Sequence, residues 1–265
     1  MRLENSTVIE QFADQGDYRR LVLHAPAIAP EVRPGQFVHM RLPAPADAIL
    51  RRPFSVFRTH ADMLEILYKP LGRGTRAMQR LSRGDAVGLL GPLGNGFPMP
   101  SPVTVPALVA GGYGMAALYL LARAVRRAGI VFVGGATASD ILCVPEFKAL
   151  GWEVRIATED GSLGVRGLVT APLDAWLAAD LGDRRPELFA CGPNPMLRAV
   201  GDRAIAGGWR AWLSVDRSMG CGVGACLTCV QKVRDPAAPD GWTWARVCRE
   251  GPVFECRDIV WEDGE

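Results

Sequence analysis

The 265-residue sequence predicts an α/β plus all-β chain in three parts: an N-terminal antiparallel β-barrel, a doubly wound parallel-sheet domain and a small C-terminal module. Three observations carry this prediction. Residues 1–99 hold short β-rich runs at high density between turn signals, and residues 100–216 alternate strand and helix patterns. Residues 217–265 follow neither rhythm and concentrate cysteine and glycine.

In the first part the expected strands are Ser6–Phe12, Tyr18–His24, Gln36–Leu42, Phe54–Arg58, Met63–Tyr68 and Ala86–Leu90, with a helix at Thr75–Leu81. A Pro-rich stretch, Pro98–Pro106, separates the parts. Beyond it the expected order is strand Ala107–Ala110, helix Met115–Ala128, strand Ile130–Val133, helix Ala138–Leu150, strand Glu153–Ala157 and helix Gly167–Ala179. Strand Glu187–Ala190, helix Pro195–Ala206 and strand Arg210–Val215 complete it. Such alternation implies parallel βαβ units. In the last part Val230–Val233 and Thr243–Val247 form an expected hairpin across Asp235–Gly241.

Composition excludes several classes of function. A net charge of +2 provides no basic field for nucleic acid. No charged residue occurs from Ala86 to Ala122, but Pro92, Pro98, Pro100, Pro102, Pro106, Gly111, Gly112 and Gly114 interrupt the run, so no membrane span is expected. The first seven residues carry charge and no apolar signal core. Seven cysteines in a chain able to bury an ample core fit a reducing, cytoplasmic setting and metal ligation better than disulfides.

The most specific chemical signal is Cys221-Gly-Val-Gly-Ala-Cys226-Leu-Thr-Cys229, followed by Cys248 and Cys256. A C-x4-C-x2-C…C spacing is the plant-ferredoxin arrangement for a [2Fe–2S] cluster, in which each iron takes two soft sulfur ligands. Gly220, Gly222 and Gly224 let the chain turn around such a cluster. A zinc-binding scaffold is the competing reading, although zinc sites usually come as two close cysteine pairs and only Cys226 and Cys229 make one.

Two segments of the first part suit a flavin nucleotide. Arg52-Pro53-Phe54-Ser55 offers a guanidinium for a pyrophosphate and a small hydroxyl for a ring edge. Read alone, an Arg-rich start to an edge strand is equally ordinary surface chemistry. Leu67-Tyr68-Lys69 then runs into Gly72-Arg-Gly74-Thr75 at the head of a helix, a natural phosphate cradle. In the second part Gly111-Gly112-Tyr113-Gly114 joins a strand to a helix, where glycine leaves room for a dinucleotide. Its spacing departs from the standard Rossmann fingerprint, and a tight strand–helix turn is the alternative. Cys191-Gly192-Pro193 closes a buried strand, where a small core residue is the bland reading.

With these motifs in this order, the chain resembles the ferredoxin–NADP reductase superfamily. With the cysteine tail added, it resembles the electron-transfer subunits of NAD-linked dihydroorotate dehydrogenases over nearly its whole length. The resemblance implies an FAD-binding barrel at 1–99, an NAD-binding domain at 100–216 and a [2Fe–2S] module at 217–265. Arg52, Pro53, Phe54, Ser55, Leu67, Tyr68, Lys69, Gly72, Gly74 and Thr75 would then serve FAD. Gly111, Gly112, Gly114, Cys191, Gly192 and Pro193 would serve NAD(H), with Cys191 close to the nicotinamide, and Leu90–Phe97 would be the crossover between domains. Ala117 stands where many relatives carry Pro. Val247-Cys248-Arg249-Glu250-Gly251-Pro252-Val253-Phe254 reproduces the family's closing motif, by which the resemblance prefers Cys248 as the fourth cluster ligand; Cys256 is the alternative and is otherwise expected to pack beneath the tail.

The implied route runs from NADH to FAD and singly through the cluster to a partner, because hydride carries two electrons and the cluster takes one. No general acid–base pair is required at the cluster. The implied partner is an FMN-containing dihydroorotate dehydrogenase catalytic subunit in a heteromer, a heterotetramer, serving pyrimidine biosynthesis. A subunit of a related NAD(P)H:ferredoxin oxidoreductase or sulfide dehydrogenase would share every motif. Cys143 and the three histidines, His24, His39 and His60, lack partners at catalytic spacing and are expected to be structural.

Overall fold

The computed structural model describes residues 1–42, 49–179 and 185–262. Its first sheet contains β1 (Arg2–Ala13), β2 (Arg19–His24), β3 (Phe37–Met40), β4 (Arg52–Ser55), β5 (Arg58–His60), β6 (Met63–Tyr68) and β7 (Ala86–Leu93). All pairings are antiparallel, in the order β4-β3-β7-β1-β2-β6-β5. In β7 burial alternates, with Val87, Leu89, Gly91 and Leu93 inside, as a sheet with one packed face requires. The sheet curls into a half-barrel around Val8, Leu21, Leu23, Val38, Met40, Leu64, Ile66 and Leu89. Its ends approach through side chains, Phe54 meeting Tyr68 edge-on at 6.5 Å, and among the described residues no hydrogen-bonded ladder closes it.

The single strand expected at Phe54–Arg58 is two strands on opposite edges. Val56 donates its N–H to Gln36 and Phe57 donates to Glu65, so the main chain changes partners between consecutive residues. Both side chains are fully buried, which one flat strand with a solvent face does not allow. A short helix, α1 (Arg73–Met78), follows β6.

The second sheet is built from β8 (Thr104–Gly111), β9 (Ile130–Gly135), β10 (Glu153–Thr158), β11 (Val165–Arg166), β12 (Arg185–Cys191) and β13 (Arg210–Ser214). Helices α2 (Met115–Ala124) and α3 (Val144–Ala149) pack on one face, α4 (Thr170–Leu177) and α5 (Asn194–Gly207) on the other. Val131, Phe132, Leu188 and Phe189 are adjacent in sequence yet all fully buried, the signature of parallel strands covered on both faces.

The expected helix at Ala138–Leu150 breaks in two. A 3-10 turn at Ala138–Asp140 is separated from α3 by Cys143, which sits at φ +59°, and Pro145 opens the second piece. Helix α2 stops at Ala124, because Val125 turns extended.

The tail forms the expected hairpin, β14 (Val230–Arg234) against β15 (Trp242–Arg246). It then contributes β16 (Val253–Glu255), antiparallel to β13, as an edge of the second sheet in the order β11-β10-β9-β8-β12-β13-β16. Three residues are too short to show a period, so this strand is invisible in the sequence. It stitches the cysteine module onto the nucleotide-type sheet.

Candidate functional site: a crevice beside a cysteine loop

Strand order places the crevice. The chain winds from β8 through β9 and β10 to β11, then returns to lay β12 on the other side of β8, so the direction of winding reverses between β8 and β12. Ligands of doubly wound sheets bind at that reversal, beyond the carboxyl ends of the strands. Gly111–Gly114 and Cys191–Pro193 are those two ends, which explains why both motifs stood out.

Their glycines have a second role that sequence reasoning missed. A Cβ on Gly114 would lie 2.2 Å from the Cys191 carbonyl oxygen, one on Gly111 2.9 Å from Pro193 Cδ, and one on Gly192 2.6 Å from Met196 Cε. The two segments therefore pack on each other through bare backbone, whatever ligand lies above. Burial pushes the Cys191 thiol up to about 12, so it is neutral in the crevice. Gly114→Ala is expected to wedge β8 from β12 and to slow NADH-driven flavin reduction at least tenfold, read by stopped-flow absorbance. A rate unchanged at saturating and at limiting NADH would contradict this account.

The barrel supplies the other wall. Tyr18, Phe57, Leu67 and Phe97 join Met115, Leu118, Tyr119 and Phe147 in one apolar cluster, so half-barrel and parallel sheet share a core. Leu67 and Tyr68 are buried, and Tyr68 donates its hydroxyl to Gln11 at 2.6 Å. Lys69 reaches across to Asp140 at 3.0 Å, where the Tyr18 hydroxyl also donates at 3.1 Å. The lysine thus ties the segment predicted for FAD to the loop after β9.

Thr75 Oγ1 accepts from the Gly72 N–H at 3.0 Å and so orders the Gly72–Thr75 turn. A Cβ on Gly74 would meet Leu42 Cδ1 at 2.4 Å, whereas Gly72 faces open space. Pro53, Phe54 and Ser55 are half-buried on β4.

Arg52 is exposed, and its guanidinium rests on the carbonyls of Leu50 at 2.9 Å and Arg51 at 3.2 Å, contacts an anion can displace. Arg51 is held by the Gly88 carbonyl at 2.6 Å and serves the sheet instead. Arg52→Ala is expected to lower the FAD retained through purification, by a charge-assisted contact worth about 1.5–3 kcal/mol. Equal flavin content in the variant and the parent chain would remove Arg52 from the site.

The cysteine loop lies on the far side of β3. Cys229 and Cys248 are buried, Cys221 is half-buried and Cys226 exposed. Cys221 Sγ accepts N–H groups from Val223 at 3.4 Å, Ala225 at 3.2 Å and Cys226 at 3.4 Å, a geometry that Gly222 at φ +72° and Gly224 at φ +84° permit. Thr228 Oγ1 donates to Cys226 Sγ at 3.2 Å, and Cys248 N donates to Cys229 Sγ at 3.4 Å.

The Thr228 hydroxyl and amide, with the Cys221 contacts, bring the Cys226 thiol down to about 6, a thiolate at neutral pH. Burial and the neighbouring Cys229 sulfur push Cys248 up to about 12, a repulsion that a bound cation would relieve. Electrostatic contacts link Cys226 with Cys221 and Cys248 with Cys229 and Cys221. A sulfur set with this spacing and these N–H donors fits two irons better than one zinc.

Cys256 is buried and faces away from the loop: a Cβ on Gly201 of α5 would lie 3.3 Å from its Cβ. The closing motif is anchored to the barrel. Asn95 takes the Gly251 carbonyl at 2.6 Å through its N–H, and its side-chain amide donates to the carbonyls of Arg249 at 3.2 Å and Glu250 at 3.0 Å.

A half-barrel beside a doubly wound sheet, with a thiolate loop against both, defines the class: a reductase-type electron-transfer protein. The comparisons narrow it. Residues 216–260 match the family described as the iron-sulfur cluster binding domain of dihydroorotate dehydrogenase B. The chain is 41% identical over 238 residues to the dihydroorotate dehydrogenase B (NAD(+)) electron transfer subunit of Geobacillus kaustophilus, covering 86% of this chain and 87% of that one. It is 38% identical over 268 residues to the subunit of the same name in Geobacillus thermodenitrificans, covering 97% and 98%. Among solved structures, an NADH-dependent reduced ferredoxin-NADP oxidoreductase superposes with a TM-score of 0.80 at 27% identity, over 97% of this chain and 90% of that one.

This chain belongs to the family of dihydroorotate dehydrogenase B electron transfer subunits. It is an oxidoreductase subunit of ferredoxin-reductase fold that works with FAD, a [2Fe–2S] cluster and NAD(H), and it requires a catalytic partner subunit.

Proposed function

We propose that this chain carries electrons between NAD(H) and an FMN-containing dihydroorotate dehydrogenase catalytic subunit, within a cytoplasmic heterotetramer of pyrimidine biosynthesis. In the biosynthetic direction dihydroorotate and NAD⁺ give orotate, NADH and a proton, two electrons passing through the chain. The observation that carries this reading is the seating of the Cys221–Cys229 loop and the Arg249–Gly251 turn on β3 and Asn95, on the same half-barrel whose Tyr18 and Leu67 join the core shared with the parallel sheet. When bound, FAD supplies the exchange between paired and single electrons.

The chain's own residues bind and orient. Arg52, with Gly72, Gly74 and Thr75, would hold the FAD phosphates, and Pro53, Phe54, Ser55, Leu67, Tyr68 and Lys69 its remaining surface. Gly111, Gly112, Gly114, Cys191, Gly192 and Pro193 would receive NAD(H), and Cys221, Cys226, Cys229 and Cys248 the cluster. The outlet is the exposed Cys226, flanked by Leu227 at 62% and Trp244 at 49% exposure, large apolar side chains that a partner would cover. Among the described residues no helix is long and apolar enough to cross a membrane.

Affinity purification from the native cell tests the proposal: a dihydroorotate-oxidising flavoprotein is expected to co-elute. A ferredoxin co-eluting alone would favour the second reading, a ferredoxin oxidoreductase subunit, which the 0.80 superposition on such an enzyme keeps in view. The family match, to an iron-sulfur cluster binding domain, favours the cluster over the zinc scaffold.

A further inference from the structure

Strand β3 is buried on both faces. Val38 and Met40 point into the half-barrel, while Phe37 packs with Cys229, Val247 and Cys248 in the core of the opposite side. His39 shares that opposite face. Its ring lies against Gly222, where an added Cβ would come 2.6 Å from Nδ1, 3.0 Å from Cγ and 3.1 Å from Cε1. In register it pairs with Pro53, inside the Arg52–Ser55 segment. One residue therefore touches the strand beside the flavin segment and the loop that carries Cys221.

The imidazole is fully buried; neither Nδ1 nor Nε2 makes a well-formed hydrogen bond among the described residues, and the Cys221 main chain lies near enough to the ring to act as a polar neighbour. Buried polar atoms are nearly always paired, because stripping them of water without replacement is unfavourable. The ring lies against the cluster loop at Cys221 and Gly222.

We propose that His39 is a positioning residue for the cluster: one ring N–H donates a hydrogen bond into the sulfur ligand sphere at Cys221, fixing the loop on β3 and raising the cluster's reduction potential. The sign follows from charge. Reduction adds one electron and no proton, so a donor facing sulfur favours the more negative, reduced form. This rests on the assignment of Cys221, Cys226, Cys229 and Cys248 as cluster ligands.

The test uses the full chain with its partner subunit and compares His39→Leu with His39→Gln, which keeps an N–H donor. In EPR-monitored redox titration, His39→Leu is expected to shift the one-electron equilibrium at least tenfold toward the oxidised cluster, about 59 mV lower. His39→Gln is expected to recover part of that shift. In the parent protein carrying 15N-histidine, ENDOR of the reduced cluster is expected to show nitrogen coupling and an exchangeable proton coupling.

An unchanged potential in His39→Leu, or equal shifts in both variants, would overturn the proposal and leave His39 as packing. If His39→Leu fails to load iron, the ENDOR of the parent protein decides, and absence of histidine coupling there counts against the donor. A parent protein without a [2Fe–2S] signal would instead defeat the ligand assignment.

Discussion

Cys226→Ser is expected to leave FAD content and NADH-driven flavin reduction intact while abolishing electron delivery to the partner. The separation follows from where the parts lie. Gly111–Gly114 and Cys191–Pro193 form the crevice at the ends of β8 and β12, whereas Cys226 is on the exposed turn of a loop seated on the other face of β3. Its thiol, held near 6 by Thr228 and Cys221, is ready to bind iron as thiolate, and a serine hydroxyl is neither soft nor ionised at that pH. Stopped-flow absorbance reads flavin reduction, and dihydroorotate-dependent NAD⁺ reduction in the assembled complex reads transfer between the chain and its partner. Undiminished delivery by the variant would remove the cluster from the route.

Arg20→Met is expected to be the most destabilising single change, at about 3–5 kcal/mol, with early loss of FAD. Arg20 of β2 has a side chain only 10% exposed and pairs with Asp14 at 2.5 Å, Glu65 at 3.3 Å and Glu146 of α3. Its guanidinium also lies 4.9 Å from the Phe57 ring centroid, with Arg58 at 5.1 Å from the same ring. One cation thus fastens the half-barrel to the parallel sheet. Methionine fills similar space and leaves three carboxylates of 12–21% exposure without their main counter-charge. Burial already pushes the Glu65 carboxyl up, and losing Arg20 pushes it further. Urea denaturation followed by flavin fluorescence and by far-UV dichroism checks this. A midpoint within 0.5 M of the parent on both probes would mean that the apolar cluster alone holds the two sheets together.

Neither Arg20 nor His39 could be singled out from the sequence. Each stands in an ordinary strand pattern, Arg19–His24 and Phe37–Met40, and each acquires its role from residues far along the chain, Glu146 for one and Gly222 for the other. Arg51 and Arg52 are likewise indistinguishable in a row of letters. Only the register of β3 on β7 turns Arg51 onto the Gly88 carbonyl and leaves Arg52 at the surface. Local signals failed where two short elements met: Pro145 and Cys143 split the helix expected across Ala138–Leu150, and the change of partner at Val56 and Phe57 split a strand.

What the sequence by itself determined is everything carried by close spacing and periodicity. That includes the alternation of strands in the half-barrel, the βαβ order, the four thiols, and the glycine turns at 72–75, 111–114 and 220–224, since each depends on residues a few positions apart. Only the tertiary structure decided how these parts face one another. β16 was added to β13, β12 was laid beside β8 to make the crevice, and β3 was buried between the half-barrel and the cysteine loop. Those choices rest on burial of apolar faces between segments well separated along the chain, and no local pattern in one sequence records which faces will meet.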